Sequence, residues 1–291
     1  MEILKTNCQL GESPIYDHNN FWVYWLDLDL GHVHKYNLKK KVHSSFKIKI
    51  KTPLGSLLRT NKGNFLITSD SGIHLLNPQT KKNLFIADFR KDKKNFIYND
   101  GLTDGKNIYI GLSDRKEKKP IGFFYFFNGK SLKISAINYP VANGPSIYKD
   151  FIAYSNSAFK RIEIYSKRNN EIKKRIYLRS GYPDGTCFDS KGGLWVAHWG
   201  GGRISRYTND FKKDFSINLP AKNITSLCFV GNKKDQLFIT SAKVETNKTD
   251  LKKYPNCGDT FIIQTNYKGV KINDFDEINI KKLKLLHHQH W

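Results

Sequence analysis

The sequence predicts an all-β fold, and within that class a six-bladed β-propeller. Three observations carry this. Helical periodicity is nearly absent. Short β-branched and aromatic runs are broken by Gly, Asn, Asp and Ser. One of those runs then recurs at an almost constant spacing. With 39% hydrophobic and 13% aromatic residues, the 291-residue chain also has material for a large packed core and lacks the composition of a disordered one.

The recurrent run occurs six times, as Phe21-Trp-Val-Tyr-Trp25, Phe65-Leu-Ile-Thr68, Ile108-Tyr-Ile-Gly111, Phe151-Ile-Ala-Tyr154, Leu194-Trp-Val-Ala197 and Leu237-Phe-Ile-Thr240. The first interval is 44 residues and the other four are 43. A period near 43 with about four strands per unit fits a propeller blade, whereas a sandwich would not space its strands so evenly. A second strand-like run follows in each unit. In order these are His32-Val-His-Lys-Tyr36, Ile73-His-Leu-Leu76, residues 123–127 after a longer insert, Arg161-Ile-Glu-Ile-Tyr165 and Arg203-Ile-Ser-Arg-Tyr207. The last unit carries the longest insert, residues 243–258, before Thr260-Phe-Ile-Ile263. Six units use residues 1–291 as a single domain. Ile3 to Leu10 remain as a strand expected to complete the last blade, which would remove the open edges of the ring.

Charge points elsewhere at first. Lys+Arg 49 against Asp+Glu 26 gives +23, a balance that raises nucleic acid or an anionic membrane as a partner. The composition argues against both. Lysine (40) far outnumbers arginine (9), although Arg is the residue whose planar fork reads phosphates and bases. Asn is abundant and Ala scarce, the pattern of compositional bias spread over a surface. Lys39-Lys40-Lys41 and residues 91–94 fall between strand runs and read as exposed turns. No apolar run is long enough to span a bilayer, and no basic-then-apolar leader is visible, so a cytoplasmic protein without a membrane or nucleic-acid partner is expected. Cys8, Cys187, Cys228 and Cys257 lie far apart with no Cys-x-x-Cys pair, which argues against a zinc ribbon or a disulfide framework.

In a propeller, the segment leading into each repeated run lies near the axis, so equivalent positions converge. Glu12 and Asn99 each precede their run by nine residues, Asn143 by eight and Asp184 by ten. Ser56 and Thr225-Ser226 fall at the same phase in the second and sixth units. Taken singly, Asn99-Asp100-Gly101, Asn143-Gly144 and Pro183-Asp184-Gly185 are turn sequences. Four oxygen-bearing side chains at one phase of a six-fold repeat instead suit a hard divalent cation, with calcium, magnesium, manganese and zinc all acceptable.

These motifs resemble the senescence marker protein, gluconolactonase and regucalcin family. The likeness runs in order through Leu10-Gly-Glu-Ser-Pro14, Asn99-Asp-Gly101, Asn143-Gly144, Tyr182-Pro-Asp-Gly185, Leu194-Trp-Val-Ala-His-Trp-Gly-Gly-Gly-Arg203 and Leu237-Phe-Ile-Thr-Ser-Ala242. It implies a propeller with one axial divalent metal held by Glu12, Asn143 and Asp184. It also implies substrate contact at Asn99, Asp184 as acid/base, and hydrolysis of sugar-acid (aldonic) lactones. A calcium- or ligand-binding propeller without turnover, and a hydrolase of another ester or lactone, are the alternatives. Two positions depart from the pattern. Ile97 stands where an Arg is common, and the charged run from Asp114 to Lys119 offers Glu117 as an acidic substrate contact or as part of a solvated loop. Trp195, His198 and Trp199 read as blade packing. His287, His288 and His290 read as a loose tail.

Overall fold

The computed structural model describes residues 1–289 and contains six antiparallel four-stranded sheets. The first begins with Gly11–Asp17, Trp22–Asp27, His32–Asn37 and Val42–Lys47, each strand pairing with the next. Four further sheets repeat this order through Asn218. The last combines Asn223–Val230, Gln236–Ala242 and Thr260–Gln264 with the N-terminal strand Glu2–Leu4. The first strands of successive sheets neighbour one another in a ring, which makes the molecule a six-bladed β-propeller. The repeated runs seen in the sequence form the second strand of each blade.

The apolar core is not one central mass. It is divided into six clusters, one per seam between neighbouring blades. Leu26, Val33, Phe65 and Ile67 fill the seam of blades 1 and 2, and Trp195, Leu227, Leu237 and Phe261 that of blades 5 and 6. Both faces of each blade's second strand are covered, so these strands read as nearly continuous apolar or small-residue runs. Only the outermost strands alternate or lie exposed, as Lys213–Asn218 does. Each large side chain sealed in a seam contributes ~1.5–3 kcal/mol.

The chain end departs from expectation. Ile280–Gln289 is an α-helix rather than a loose tail, with Ile280 and Leu283 buried in the seam of blades 2 and 3. Ile280, Leu283 and Leu286 repeat at helical spacing along one face, a signal too short to stand out beside the histidines. The His287 ring contacts the Asp88 backbone at 3.0 Å, whereas His290 lies outside the described residues. No helix among the described residues is long and apolar enough to cross a membrane.

Blade 5 is pinned by a buried polar knot. Asp189 accepts hydrogen bonds from the Trp195 indole (2.9 Å), the Gly193 amide (2.9 Å) and Arg206 Nε (2.8 Å), and Arg206 also meets Asp214 at 2.6 Å. Asp189→Ala leaves the Trp195 indole, the Gly193 amide and Arg206 Nε without their buried acceptor while Arg206 keeps Asp214, which should cost about 1–3 kcal/mol of unfolding free energy in urea titration. A loss below about 1 kcal/mol would contradict this role.

Candidate metal centre on the propeller axis

Each of the six innermost strands carries a β-bulge at the same height. The ladder runs regularly to Glu12, Leu54, Tyr98, Asn143, Pro183 and Ile224, then two residues stand opposite one before pairing resumes. A bulge bends the strand and re-aims its side chains. The displaced pairs are Ser13-Pro14, Gly55-Ser56, Asn99-Asp100, Gly144-Pro145, Asp184-Gly185 and Thr225-Ser226. Glu12 and Asn143 therefore sit just before a bulge, and Asn99 and Asp184 open one. The common phase in the sequence is the imprint of this ring.

Inner strands approach so closely here that glycine is required at two points. A Cβ on Gly144, which holds φ of +55°, would stand 2.3 Å from the Asp184 carbonyl oxygen. One on Gly185 would stand 2.2 Å from Ser226 Oγ. Hydrogen bonds lock the strands round the axis. Gly144 N–H donates to Asp100 at 2.7 Å, Ser155 Oγ to the Asp184 carbonyl at 2.7 Å, and Leu57 N–H to Ser13 Oγ at 2.8 Å. Asn143 is oriented by donating its amide to Ser157 Oγ at 3.1 Å. Ser157 in turn donates to the Pro183 carbonyl. The Asn143 carbonyl oxygen is thereby turned away from Ser157 and accepts from the Asn99 amide.

Glu12, Asp184 and Asp100 are each at least nine-tenths buried. Among the described residues none of them pairs with Lys, Arg or His. Burial, then Asp100 and Asp184, pushes the Glu12 carboxyl well above the usual carboxylate range, and the Ser13 N–H at 2.6 Å only partly offsets this. Burial, then Asp100 and Glu117, does the same to Asp184. Asp100 rises to about 6 through burial. Three buried acids that repel one another without a cation from the chain are the arrangement a divalent ion relieves. Carboxylates and amide carbonyls are the ligands a hard ion takes.

The structure thus brings Glu12, Asn99, Asn143 and Asp184 to one region. Glu117, on the blade 3 insert, reaches the same end of the axis, close enough to repel Asp184. Its own carboxyl is raised by burial and then by Glu245 from the blade 6 insert. Sequence reading missed two residues. Asp100 stood in plain view beside Asn99, and only the bulge, which displaces both residues, shows that it counts. Glu245 lies in an insert with no repeat to align it. Beneath the acids a cavity of about 410 Å³ follows the axis past Pro14, Leu57, Asp100, Ser146 and Thr186 to a floor at Asn273 and Asp274. Trp195 and His198 are buried within blade 5.

The six-bladed propeller and its acidic, amide-lined axis can be set beside known proteins. Residues 10–243 match the family described as SMP-30/Gluconolactonase/LRE-like region, and the chain belongs to that family. Regucalcin of Pongo abelii is 27% identical, over 92% of this chain and 95% of that protein. Among solved structures, a calcium-binding regucalcin of Agrobacterium tumefaciens superposes with a TM-score of 0.85 at 21% identity, covering 94% of this chain and 97% of that one. A gluconolactonase of Xanthomonas campestris gives a TM-score of 0.70 at 16% identity, covering 90% and 88%. At these identities the structural likenesses show the fold.

The bulge ring makes a prediction that changes no ligand atom. Gly144→Ala forces a Cβ into the Asp184 carbonyl at a positive φ, so calorimetry should show divalent-cation affinity at least tenfold weaker, with about 1–3 kcal/mol of stability lost. Unchanged affinity would mean that the bulges do not set the site.

Proposed function

We propose that the chain is a metal-dependent lactonase that opens the ring of a sugar-acid lactone with water. The observation that supports this most is the buried trio of acids on the axis, which has no cationic side chain beside it among the described residues. Family membership supports the substrate class. Glu12, Asn143 and Asp184 would hold the ion, which when bound supplies Lewis acidity to a carbonyl oxygen and lowers the pKa of water.

The chain's own residues account for the rest. Asp184 accepts a proton from the water that adds to the acyl carbon. It then returns a proton to the ring oxygen as the acyl C–O bond breaks, leaving a hydroxy acid. Asn99 and Glu117 orient the substrate, the first through its amide and the second by accepting from a hydroxyl. The blades packed round the axis keep these groups out of bulk water, which strengthens each of these contacts. A covalent nucleophile is not needed, and all four cysteines are buried. The likeness to a calcium-binding regucalcin supports a second reading, a propeller that binds an ion or ligand without turnover.

Chelator treatment should abolish acid release from a panel of aldonolactones, and one or more of calcium, zinc, magnesium and manganese should restore it. Metal binding with no turnover on any lactone would favour the binding propeller. Asp184→Ala should lower kcat by at least 10²-fold, within the usual range for loss of an acid/base. Full turnover in that variant would remove the mechanism and leave the substrate class standing. Ile97, half-buried on the inner strand of blade 3, puts an alkyl wall where a five-donor Arg fork would grip hydroxyls. The preferred lactone should therefore be less hydroxylated than gluconolactone, and Ile97→Arg should shift kcat/KM toward the more hydroxylated substrate. Highest activity on gluconolactone, lost in Ile97→Ala, would contradict this.

A further inference from the structure

The seam between the sixth and first blades buries a second group of ligating side chains that the axial site does not use. Cys8, Asp27 and His34 offer a sulfur, a carboxylate oxygen and a ring nitrogen that lie within 4.8 Å of one another. All three residues are buried. Cys8 belongs to the segment that closes the ring, Asp27 ends the second strand of blade 1, and His34 lies on the third. No local spacing in the sequence unites them.

Four features of the group point to a metal ion. Cys8 Sγ lies 3.7 Å from His34 Nε2. Sulfur and nitrogen ligands around tetrahedral zinc, with bonds of ~2.3 and ~2.0 Å, stand ~3.5 Å apart. The outer ring nitrogen of His34, Nδ1, is already engaged by His43 Nε2 at 3.1 Å, and the ring stacks on Trp25. Metal-ligating histidines are held in this way by a partner on the far nitrogen. The buried Trp25 indole N–H faces the Cys8 sulfur, where it would stabilise a thiolate. Finally, Asp27 meets only backbone amides, those of Gln9 (2.8 Å), Leu10 (3.3 Å) and Leu30 (3.2 Å). It has no cationic partner among the described residues.

We propose that Cys8, His34 and Asp27 form a second metal site, which takes a borderline divalent cation of the zinc type. A dication with one thiolate and one carboxylate is neutral, which suits a buried seam. Without the ion the group is an uncharged thiol beside a neutral imidazole. Burial and the Asp27 charge push the Cys8 thiol up to about 12, and burial and His43 hold His34 down to about 4. As the sulfur–metal bond forms, the Cys8 proton is released to solvent. The Asp27 carboxylate would complete three protein ligands, and a fourth position remains for a further donor. The site would clip the N-terminal segment to blade 1 across the ring closure.

Cobalt(II) is the probe, added to the reduced, chelator-stripped full chain. We expect a thiolate-to-cobalt charge-transfer absorption that saturates at one equivalent and is displaced by zinc. Cys8→Ser should abolish it. The double variant Glu12→Gln, Asp184→Asn should keep it, because the axial site offers no sulfur. Cys228→Ser should also keep it. Should Cys8→Ser fail to fold by circular dichroism, His34→Gln takes its place, with cobalt affinity expected to fall at least tenfold. No charge-transfer band in the folded wild-type chain, its survival in Cys8→Ser, or undiminished affinity in His34→Gln would each overturn the proposal.

Discussion

Glu12, Asp100 and Asp184 meet on the propeller axis with no Lys, Arg or His beside them among the described residues, and much of the architecture exists to hold that unfavourable arrangement in place. Buried carboxylates of like charge raise one another's pKa and weaken the fold that contains them. Stability must come from elsewhere, and it comes from the six apolar seams that surround the axis. The polar centre can then be spent on binding. The bulge ring and its glycines bring six strands within hydrogen-bonding reach without filling the middle. Ser155, Ser157 and Thr225 tie the carbonyls of Asp184, Pro183 and Gly11, so the backbone that carries the axial side chains is held in place.

The net charge of +23 fits this division. Lysines occupy turns and outer strands, as at Lys39, Lys40 and Lys41 and at Lys173 and Lys174 on Ile172–Tyr177, while Glu12, Asp100 and Asp184 stand on the axis. At contact distance the local carboxylates dominate, and charges a Debye length away, ~8–10 Å in physiological salt, are largely screened. A basic shell can gather anionic metabolites without competing for the ion, an effect that falls as salt rises.

The blade count was legible because a propeller writes its period into the chain. Each second strand must pack the same seam, so Phe21, Phe65, Ile108, Phe151, Leu194 and Leu237 recur in step. The convergence of Glu12, Asn99, Asn143 and Asp184 was legible for the same reason, as the polar phase just before each run. What escaped was whatever depends on two distant segments or on an irregular one. Asp100 needs the bulge, a distortion with no composition of its own. Glu245 sits in an insert unique to one blade. The terminal helix was hidden behind its histidines, and Cys8 gave no sign of His34 because ring closure, not sequence distance, brings them together. Lone cysteines at wide spacing argue against a zinc ribbon, and they leave open a site assembled across a seam.

The axial ion is the claim on which the functional account turns, and anomalous diffraction from crystals grown with manganese tests it most directly. The account predicts an anomalous peak on the axis with Glu12, Asn143 and Asp184 oxygens in its coordination sphere, at the ~2–2.6 Å typical of oxygen-bound divalent ions. An axis without a peak at saturating manganese, in protein that still hydrolyses lactones, would contradict it.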